Sequence, residues 1–569
     1  MKEKLEQLIK EALKNLGIEA ESVLLEHPAE LVHGDFSTNV SMAHAKKLGK
    51  NPRALAEEIV AELSKNKSTD IEKIEIAGPG FINFHLSKEF FAGVLDEIKK
   101  TENWGGSTLS KGKKIMVEYT QPNPFKPFHI GHLMSNAIGE SISRIVEISG
   151  AKTVRANYQG DVGLHVGKSI YGLLQKGKPD ASLSVSEQAV YIGTCYSWAS
   201  NLYDTDEAVK KEIDAINKKV YEKSDEQINE LYDWGRKITL DAFEIIYKVL
   251  GTTFDYYFFE SEMAPIGVEI IKKNTPAIFT ESDGAVVFKA EEHDPKLHTR
   301  VFITKQNLPT YEAKEIGLNV TKFQKENPDL SITETAIEQG EYMKVVRKAI
   351  EQIDPKMSER MKHVTHGMMR VASGKMSSRK GNVITGESLL ADTKEMVFEK
   401  IAERDFSSEE KDELASVVSV AAIKYAILKQ ALGGNIIYDE EKSVSFEGDS
   451  GPYLQYATVR ANGLLEKGKK EGLSPKNEIP ANWETTTLEK YLYRFPEVVE
   501  RSFTTLEPHF ITTYVTELSS AFNTFYGQGQ IVDANNPEVS EYKLALVEAF
   551  RKTMQGGLYL LGIKVPEKM

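Results

Sequence analysis

A chain of 569 residues is too long to fold around one hydrophobic core, so two to four domains are expected. Its single cysteine, Cys195, excludes an intramolecular disulfide framework and a cysteine-cluster zinc site, and we expect that side chain to be a packed small hydrophobic group. The formal charge of −13 argues against a protein that coats nucleic acid non-specifically, although a local basic stripe stays possible.

Neither of the two candidates for a targeting or membrane segment fits that role. Residues 1–17 are charged and amphipathic, and the apolar stretch 416–428 is too short and contains Lys424. We therefore expect a cytoplasmic protein without membrane spans.

Residues 1–105 have the pattern of a separate α+β domain. Apolar residues at helical spacing predict a first helix that ends at Gly17, and PRALAEEIVAEL (52–63) predicts a second. The stretch IEKIEIAGPGFINFHLS (71–87) predicts a hairpin with Pro79-Gly80 in its turn.

Two residues of that hairpin, Phe81 and Asn83, have the spacing of one strand face. We expect both to be exposed, where an aromatic ring and an amide suit contacts with a nucleic-acid base. The alternative is an ordinary strand with one core phenylalanine.

The stretch 117–167 combines a tight turn with many polar residues. A β-prone run to Tyr119 is followed by three prolines, a helical period from Gly131 to Gly150, and a second strand at 153–156. The sequence therefore predicts a βαβ unit of a parallel sheet.

This unit places His129 and His132 at a helix N-terminus, where unpaired backbone N–H groups and the helix dipole favour an anion such as a nucleotide phosphate. The stretch that ends at Lys168-Ser169 is not a phosphate-binding P-loop. Only three residues separate its glycines, whereas the P-loop motif has four. A metal site at the two histidines lacks a nearby cysteine or a suitably spaced carboxylate. The third interpretation is adenylyl transfer by a Rossmann-type unit. Its evidence at this point is a short motif, His-x-Gly-His at 129–132.

A charged helical insertion is predicted at about 170–265. The strand-like stretches 284–290 and 299–305 then resume, so we expect the parallel sheet to be interrupted and afterwards completed. Helical periods return at 311–323 and 341–353.

A loop at 368–386 combines Gly, Ser and cationic side chains that suit anion binding, although a generic basic surface loop has the same composition. From about 400 the pattern is almost entirely helical. There Tyr453, Tyr456 and Arg460 share one helix face, which fits stacking on unpaired bases or, more commonly, a half-buried aromatic stripe.

Several separated blocks together resemble one family, the arginyl-tRNA synthetases of class I. The first signature of the class is similar to PNPFKPFHIGH (122–132), and its lysine loop is similar to KMSSRKGN (375–382). Further similar blocks, in the order of the family, are HGDFSTNV (33–40), AGPGFINF (77–84), GDVG (160–163), PTYEAKEIG (309–317), GPYLQYA (451–457) and LLGIKVPEKM (560–569).

The resemblance implies a multidomain α/β plus all-α fold. Residues 1–105 would form an N-terminal α+β domain that contacts the tRNA D-loop, and 106–395 a Rossmann-type parallel-sheet catalytic domain. Residues 396–569 would form a C-terminal helical bundle that binds the anticodon.

The implied activity is a two-step ligation of arginine to tRNA(Arg) at the expense of ATP, with Mg²⁺ as the expected counter-ion. His129 and His132 would contact the ATP phosphates, Gly131 would leave room for the nucleoside, and Lys375, supported by Lys380, would close over the pyrophosphate. No protein-bound metal site is expected.

The resemblance also implies an arginine pocket and a tRNA surface. In the pocket, Glu315 departs from the family, which usually has Asp there. The pocket residues would be Glu118, Asn123, His129, Tyr311, Glu315 and Gln339. The tRNA contacts would be Phe81, Asn83, Tyr453, Tyr456, Arg460 and Met569.

Three alternatives stay open. They are an RNA-binding relative without catalysis, a small-molecule nucleotidyltransferase, and a synthetase for another amino acid because of Glu315. A monomer is expected from the family.

Overall fold

The structure, a computed structural model, describes residues 1–372 and 384–569. The chain divides into two compact units. The first comprises Met1–Trp104, Ala457–Glu497 and Tyr514–Gly556, and the second comprises Gly105–Tyr456, Val498–Thr513 and Gly557–Met569. The N-terminal region thus shares a unit with parts of the C-terminal helices.

The N-terminal part of the first unit is a small antiparallel sheet with four helices. The sheet has the order β1-β3-β2, and the predicted hairpin is confirmed, with its turn at 78–80. Its elements are α1 (Lys2–Asn15), β1 (Phe36–Thr38), α2 (Val40–Leu48), α3 (Pro52–Lys65), β2 (Ile71–Ala77), β3 (Phe81–Leu86) and α4 (Lys88–Lys100).

An aromatic cluster joins this sheet to the later helices of the same unit. The Tyr493 ring lies 5.9 Å from the ring of Phe36 on β1 and 5.6 Å from that of Phe90 on α4. Such edge-on and tilted ring contacts add to the burial of apolar surface that holds these segments together.

A five-stranded parallel sheet organises the second unit. Its order is β11-β10-β4-β5-β6, so the chain first adds strands on one side of β4 and later on the other, as in a Rossmann fold. The predicted βαβ unit is confirmed. The strands are β4 (Lys114–Glu118), β5 (Lys152–Gln159), β6 (Tyr256–Phe259), β10 (Leu330–Ala336) and β11 (Met361–His366).

Two predicted sheet strands lie elsewhere. The stretches that contain β8 (Ala285–Phe288) and β9 (Arg300–Ile303) form a separate antiparallel sheet with β7 (Thr280–Ser282), so the expectation that they complete the parallel sheet is wrong. They are joined by short connections, whereas a parallel pair needs a long crossover.

The charged insertion of this unit is helical as predicted. Cys195 is buried in its apolar core. The helices before the undescribed stretch are α5 (Ile130–Ile148), α6 (Leu164–Lys176), α7 (Val185–Thr205), α8 (Glu207–Glu222), α9 (Glu226–Leu250), α10 (Glu260–Lys273), α11 (Tyr311–Glu326), α12 (Gly340–Ile353) and α13 (Pro355–Glu359).

The C-terminal region is mostly helical, with one short strand that pairs with the strand before residue 372. Among the described residues, no helix is long and apolar enough to cross a membrane. The elements are β12 (Met369–Val371), α14 (Gly386–Lys400), α15 (Ser408–Leu428), β13 (Ile436–Tyr438), α16 (Glu440–Ser443), α17 (Gly451–Lys470), α18 (Thr487–Leu492), α19 (Phe495–Thr505), α20 (His509–Gly527) and α21 (Pro537–Leu560).

Helices α10 and α11 touch backbone to backbone. A Cβ atom on Gly267 would lie 1.8 Å from the carbonyl oxygen of Ala313, and one on Gly317 would lie 2.1 Å from that of Met263. These helices begin with Glu260 and Tyr311, so their contact fixes the spacing of side chains at the sheet edge.

We predict that Gly317→Ala destabilises the protein by more than about 2 kcal/mol, because the methyl group meets a carbonyl that cannot move without separating the helices. Thermal unfolding followed by circular dichroism measures the effect. The control is Gly463→Ala in α17, where nothing lies within 4 Å of the added atom and a small gain is expected. Equal midpoints for the two variants would contradict the prediction.

Candidate active site

Several polar residues, among them the predicted Glu118 and Gln339, lie at the carboxyl edge of the parallel sheet. Glu118 ends β4, Gln159 ends β5, Glu260 follows β6, and Gln339 lies three residues beyond β10. The strand order reverses at β4, and sheets of this kind bind their ligands outside the carboxyl ends of the strands at such a point.

The chain leaves β4 through a strained turn. Thr120 and Gln121 have left-handed backbone angles, with φ of 75° and 51°. The Ser135 hydroxyl accepts a hydrogen bond from Thr120 N at 2.8 Å, Asn136 Nδ2 donates to Thr120 Oγ1 at 3.0 Å, and Gln121 Nε2 donates to Glu118 Oε1 at 2.8 Å. These bonds hold the turn that separates the acidic edge from helix α5.

The two histidines cap the start of α5 reciprocally. His129 Nδ1 accepts hydrogen bonds from Gly131 N at 3.1 Å and His132 N at 3.3 Å, while His132 Nδ1 accepts one from His129 N at 3.2 Å. Their rings stack with centroids 3.5 Å apart. Since backbone N–H groups only donate, both rings carry their hydrogen on Nε2, where it is available to an anion.

Electrostatics keep both rings neutral. His129 is exposed, yet the partial burial of its ring, and then the charge of Lys126, lower its pKa to about 4. Burial lowers the pKa of His132 well below its usual range. Burial and Lys126 likewise lower the pKa of His165, whose Nε2 lies 2.8 Å from Gly160 O, to about 3. Lys126 and His165 were missed as site residues, although Lys126 lies inside the first signature.

A cluster of buried acidic side chains, called the acidic pocket below, adjoins the turn. Lys322 Nζ lies 2.7 Å from Glu118 Oε2, and both side chains are buried. Glu315 is also buried, and its carboxylate has an amide contact from Asn319 at 3.5 Å. Burial, together with the charge of Glu118, raises the pKa of Glu315 to about 8. Lys322, which the sequence argument missed, thus neutralises one of two facing carboxyl groups.

A second acid–base pair borders the pocket. Lys314 Nζ lies 2.6 Å from Glu260 Oε2, and burial raises the pKa of Glu260 although Lys314 opposes the shift. Asn123 packs over the backbone of Gly160, where an added Cβ would lie 2.4 Å from Asn123 Oδ1 and 3.3 Å from Glu260 Oε1. The structure therefore brings Asn123 to the edge that also carries the acidic side chains.

The remaining predicted site residues are more exposed. Tyr311 is the first residue of α11, and its ring centroid lies 5.2 Å from Lys314 Nζ. Gln339 is exposed in a short 3₁₀ helix. Lys375 and Lys380 lie outside the described residues.

The chain after the lysine-bearing stretch returns beside the histidine cap. Thr385 forms a β-bridge with His129, and Gly386 N donates to Phe128 O at 2.7 Å. Thr385 and Gly386 are therefore tied to the residues that precede α5.

The expectation that Asn83, a predicted tRNA contact, is exposed is wrong. Phe81 is 40% exposed, but Asn83 is only 4% exposed, and its Oδ1 accepts a hydrogen bond from Ser37 Oγ at 2.7 Å. Its strand, β3, is the middle one of three, so the neighbouring strands cover the amide.

The C-terminal candidates are partly buried, which agrees with the aromatic-stripe alternative. Tyr453 and Tyr456 are half-buried on α17, and Arg460 donates to Asn523 Oδ1 at 2.6 Å. Met569 packs against an apolar cluster that includes Val397, Ile401 and Leu414.

Comparison with known proteins identifies the family. The model "tRNA synthetases class I (R), catalytic domain" matches residues 95–439, "Arginyl tRNA synthetase N terminal domain" matches 3–86, and "DALR anticodon binding domain" matches 454–569. The arginine–tRNA ligase of Clostridium acetobutylicum is 30% identical over 98% of this chain and 97% of its own length. This chain belongs to the arginyl-tRNA synthetases.

Other arginyl-tRNA synthetases agree over the full length. The arginine–tRNA ligase of Halothermothrix orenii is 30% identical over 100% of this chain and 99% of its own. The structure of the Thermus thermophilus enzyme has a TM-score of 0.78 at 22% identity and covers 100% of both chains. That of the Plasmodium falciparum enzyme has a TM-score of 0.78 at 20% identity, over 100% of this chain and 99% of its own. The predicted fold class is therefore confirmed.

We predict that Glu315→Gln raises the thermal midpoint, and that its advantage over the unchanged protein widens from about pH 5 to pH 8. The folded protein keeps Glu315 protonated up to about pH 8, whereas the unfolded chain ionises it near pH 4.5, so rising pH favours unfolding in that window. Above pH 8 the difference stays constant. Midpoints measured at half-unit pH steps that run parallel would refute the prediction.

Proposed function

We propose that this chain charges tRNA(Arg) with arginine in two steps at the crevice beyond β4. A carboxylate oxygen of arginine attacks the α-phosphorus of ATP, which forms arginyl-adenylate and releases pyrophosphate. A hydroxyl of the tRNA 3′-terminal nucleotide then attacks the arginyl carbonyl carbon, and AMP leaves. The carrying observation is that reciprocally capped histidines and a buried acidic pocket share one sheet edge.

The histidines would bind the phosphates of ATP. Both Nε2–H groups are hydrogen-bond donors, and the helix dipole adds favourable potential. Gly131 would let the nucleoside lie against the backbone. Lys375 and Lys380 would neutralise the pyrophosphate, which is supported by the attachment of Thr385 and Gly386 beside the cap.

Mg²⁺ belongs to this proposal as the counter-ion of the ATP phosphates. In residues 1–372 and 384–569, no group of three or more His, Cys, Asp or Glu side chains could hold a metal ion. Bound to the phosphates, the ion would neutralise charge on the leaving pyrophosphate.

The acidic pocket would bind arginine. A guanidinium group has five N–H donors and is best met by carboxylates and neutral acceptors. Lys322 already forms an ion pair with Glu118, so Glu315 is the carboxyl group with the weaker existing contact. Glu315 would ionise when the cationic guanidinium group binds. Asn123, Tyr311 and Gln339 would complete the pocket, and His129 would face the arginine carboxylate.

The tRNA would contact both units. Phe81 presents an exposed ring for the D-loop, with Asn83 as a buried support, and Tyr453, Tyr456, Arg460 and Met569 are proposed for the anticodon loop. We also propose a cytoplasmic monomer.

The test is ATP–pyrophosphate exchange with each of the twenty amino acids, with and without unfractionated tRNA. We expect exchange with arginine alone, since only a cationic planar side chain satisfies the acidic pocket. Exchange with a different amino acid would overturn the arginine pocket. Absence of exchange under every condition would instead favour a non-catalytic RNA-binding protein.

We predict that Glu315→Gln raises the KM for arginine by about 100-fold or more and changes the KM for ATP little, since one charge-assisted contact is lost. The matched control is Glu312→Gln, because Glu312 lies on the same helix but is bound by Arg300 at 2.8 Å. Steady-state exchange at varied arginine and ATP gives both constants. Equal rises in the two KM values would remove Glu315 from the pocket.

A further inference from the structure

A buried pair that the proposed chemistry does not use lies beside the strained turn. Glu334, near the carboxyl end of β10, has 0% exposure. Its Oε2 accepts a hydrogen bond from Ser135 Oγ, and its Oε1 makes no hydrogen bond to any described residue. That free oxygen faces His366 Nε2 at 3.4 Å, and the His366 side chain is also buried.

The hydrogen bonds around His366 require a proton between the two side chains. His366 Nδ1 lies 2.6 Å from the carbonyl oxygen of Gly367, which only accepts, so Nδ1 carries the ring hydrogen. In a neutral ring Nε2 would then point a lone pair at a carboxylate oxygen, leaving two buried acceptors unpaired. One further proton, on either Glu334 Oε1 or His366 Nε2, turns this repulsion into a hydrogen bond.

Glu334 also fixes the direction of the Ser135 hydroxyl. Because Ser135 donates its one hydrogen to Glu334, its lone pair is available to accept from Thr120 N at 2.8 Å. Ser135 lies three residues after His132 on α5, and Thr120 lies two residues after Glu118. A single hydroxyl therefore connects the histidine helix to the left-handed turn that follows the acidic edge.

We propose that Glu334 is a positioning residue for adenylate formation. By sharing one proton with His366 it orients Ser135, which holds the strained Thr120 turn and the capped histidines in register. This role rests on the proposed function, since the histidines and Glu118 are the groups that it positions.

The role has a pH signature. His366 is the ionisable group whose charge acts on Glu334, while the side chains that face it from α5 and the turn, Ser135 and Thr120, do not titrate. Burial raises the pKa of Glu334, which favours retention of the shared proton. When rising pH removes that proton, the two acceptors repel each other and the register of the turn is lost.

The experiment measures arginine- and ATP-dependent pyrophosphate exchange from pH 6 to 10 for the full chain and five variants. Glu334→Leu and Ser135→Ala should each lower kcat by about 10- to 100-fold, because small displacements of reacting groups are costly, and the double variant should lose no more than either alone. Glu334→Gln should keep most of kcat at pH 7, since its amide accepts from Ser135 and donates to His366.

The fall of kcat at high pH distinguishes a positioning role of Glu334 from a role in general stability. We expect kcat of the unchanged protein to fall at high pH and that of Glu334→Gln to fall less, since an amide hydrogen is not lost. The control is Ser143→Ala, which removes a buried α5 hydroxyl that donates to Gly139 O at 2.8 Å and should leave kcat unchanged.

Three results would overturn the role of Glu334. These are kcat values for Ser135→Ala and Glu334→Leu equal to that of the unchanged protein, additive losses in the double variant, or an identical alkaline limb in Glu334→Gln. If Glu334→Leu does not fold, the results for Ser135→Ala and Glu334→Gln still test the role of Glu334. An unchanged protein without arginine-dependent exchange would refute the proposed function rather than the positioning role.

Discussion

The left-handed backbone at Thr120 and Gln121 is the constraint on which the rest of the site depends. A strand that continued beyond Glu118 would carry the chain away from the sheet edge, whereas this turn returns it to α5 within about ten residues. Non-glycine residues in such conformations cost about 1–3 kcal/mol each. The bonds from Ser135, Asn136 and Gln121 offset that cost, so the turn and the helix start form one structural element.

Buried charge is arranged in pairs on either side of this element. Lys322 with Glu118 and Lys314 with Glu260 are ion pairs in a setting where ions are expensive to desolvate, and apolar residues would serve stability as well. Their presence holds carboxylate oxygens in fixed positions, which suits the cationic ligand that we propose. The glycine contact between α10 and α11 brings together the two helices that carry Glu260 and Lys314, whose ion pair spans 2.6 Å.

The sequence identified local structure well and long-range chemistry poorly. The βαβ unit followed from apolar periodicity and from Gly150, and the sequence placed the two histidines at a helix start. It did not predict that their rings cap that helix, and the backbone N–H groups expected to be unpaired there donate to the rings. The strands β8 and β9 were assigned to the wrong sheet, because strand propensity carries no information about partners. Asn83 was expected to be exposed, since period-2 spacing does not reveal that a strand has neighbours on both sides. Lys322 and His366 could not be found at all, because their partners Glu118 and Glu334 are distant in sequence.

The reciprocal cap also decides what the histidines can ligate. Coordination of a transition metal requires a lone pair on a ring nitrogen, and in this structure both Nδ1 lone pairs are occupied by backbone N–H groups. Chelation through Nε2 would force the hydrogen onto Nδ1 and break the start of α5. The fold of one helix turn therefore leaves each of these side chains with a ring N–H donor and without a ring lone pair for zinc.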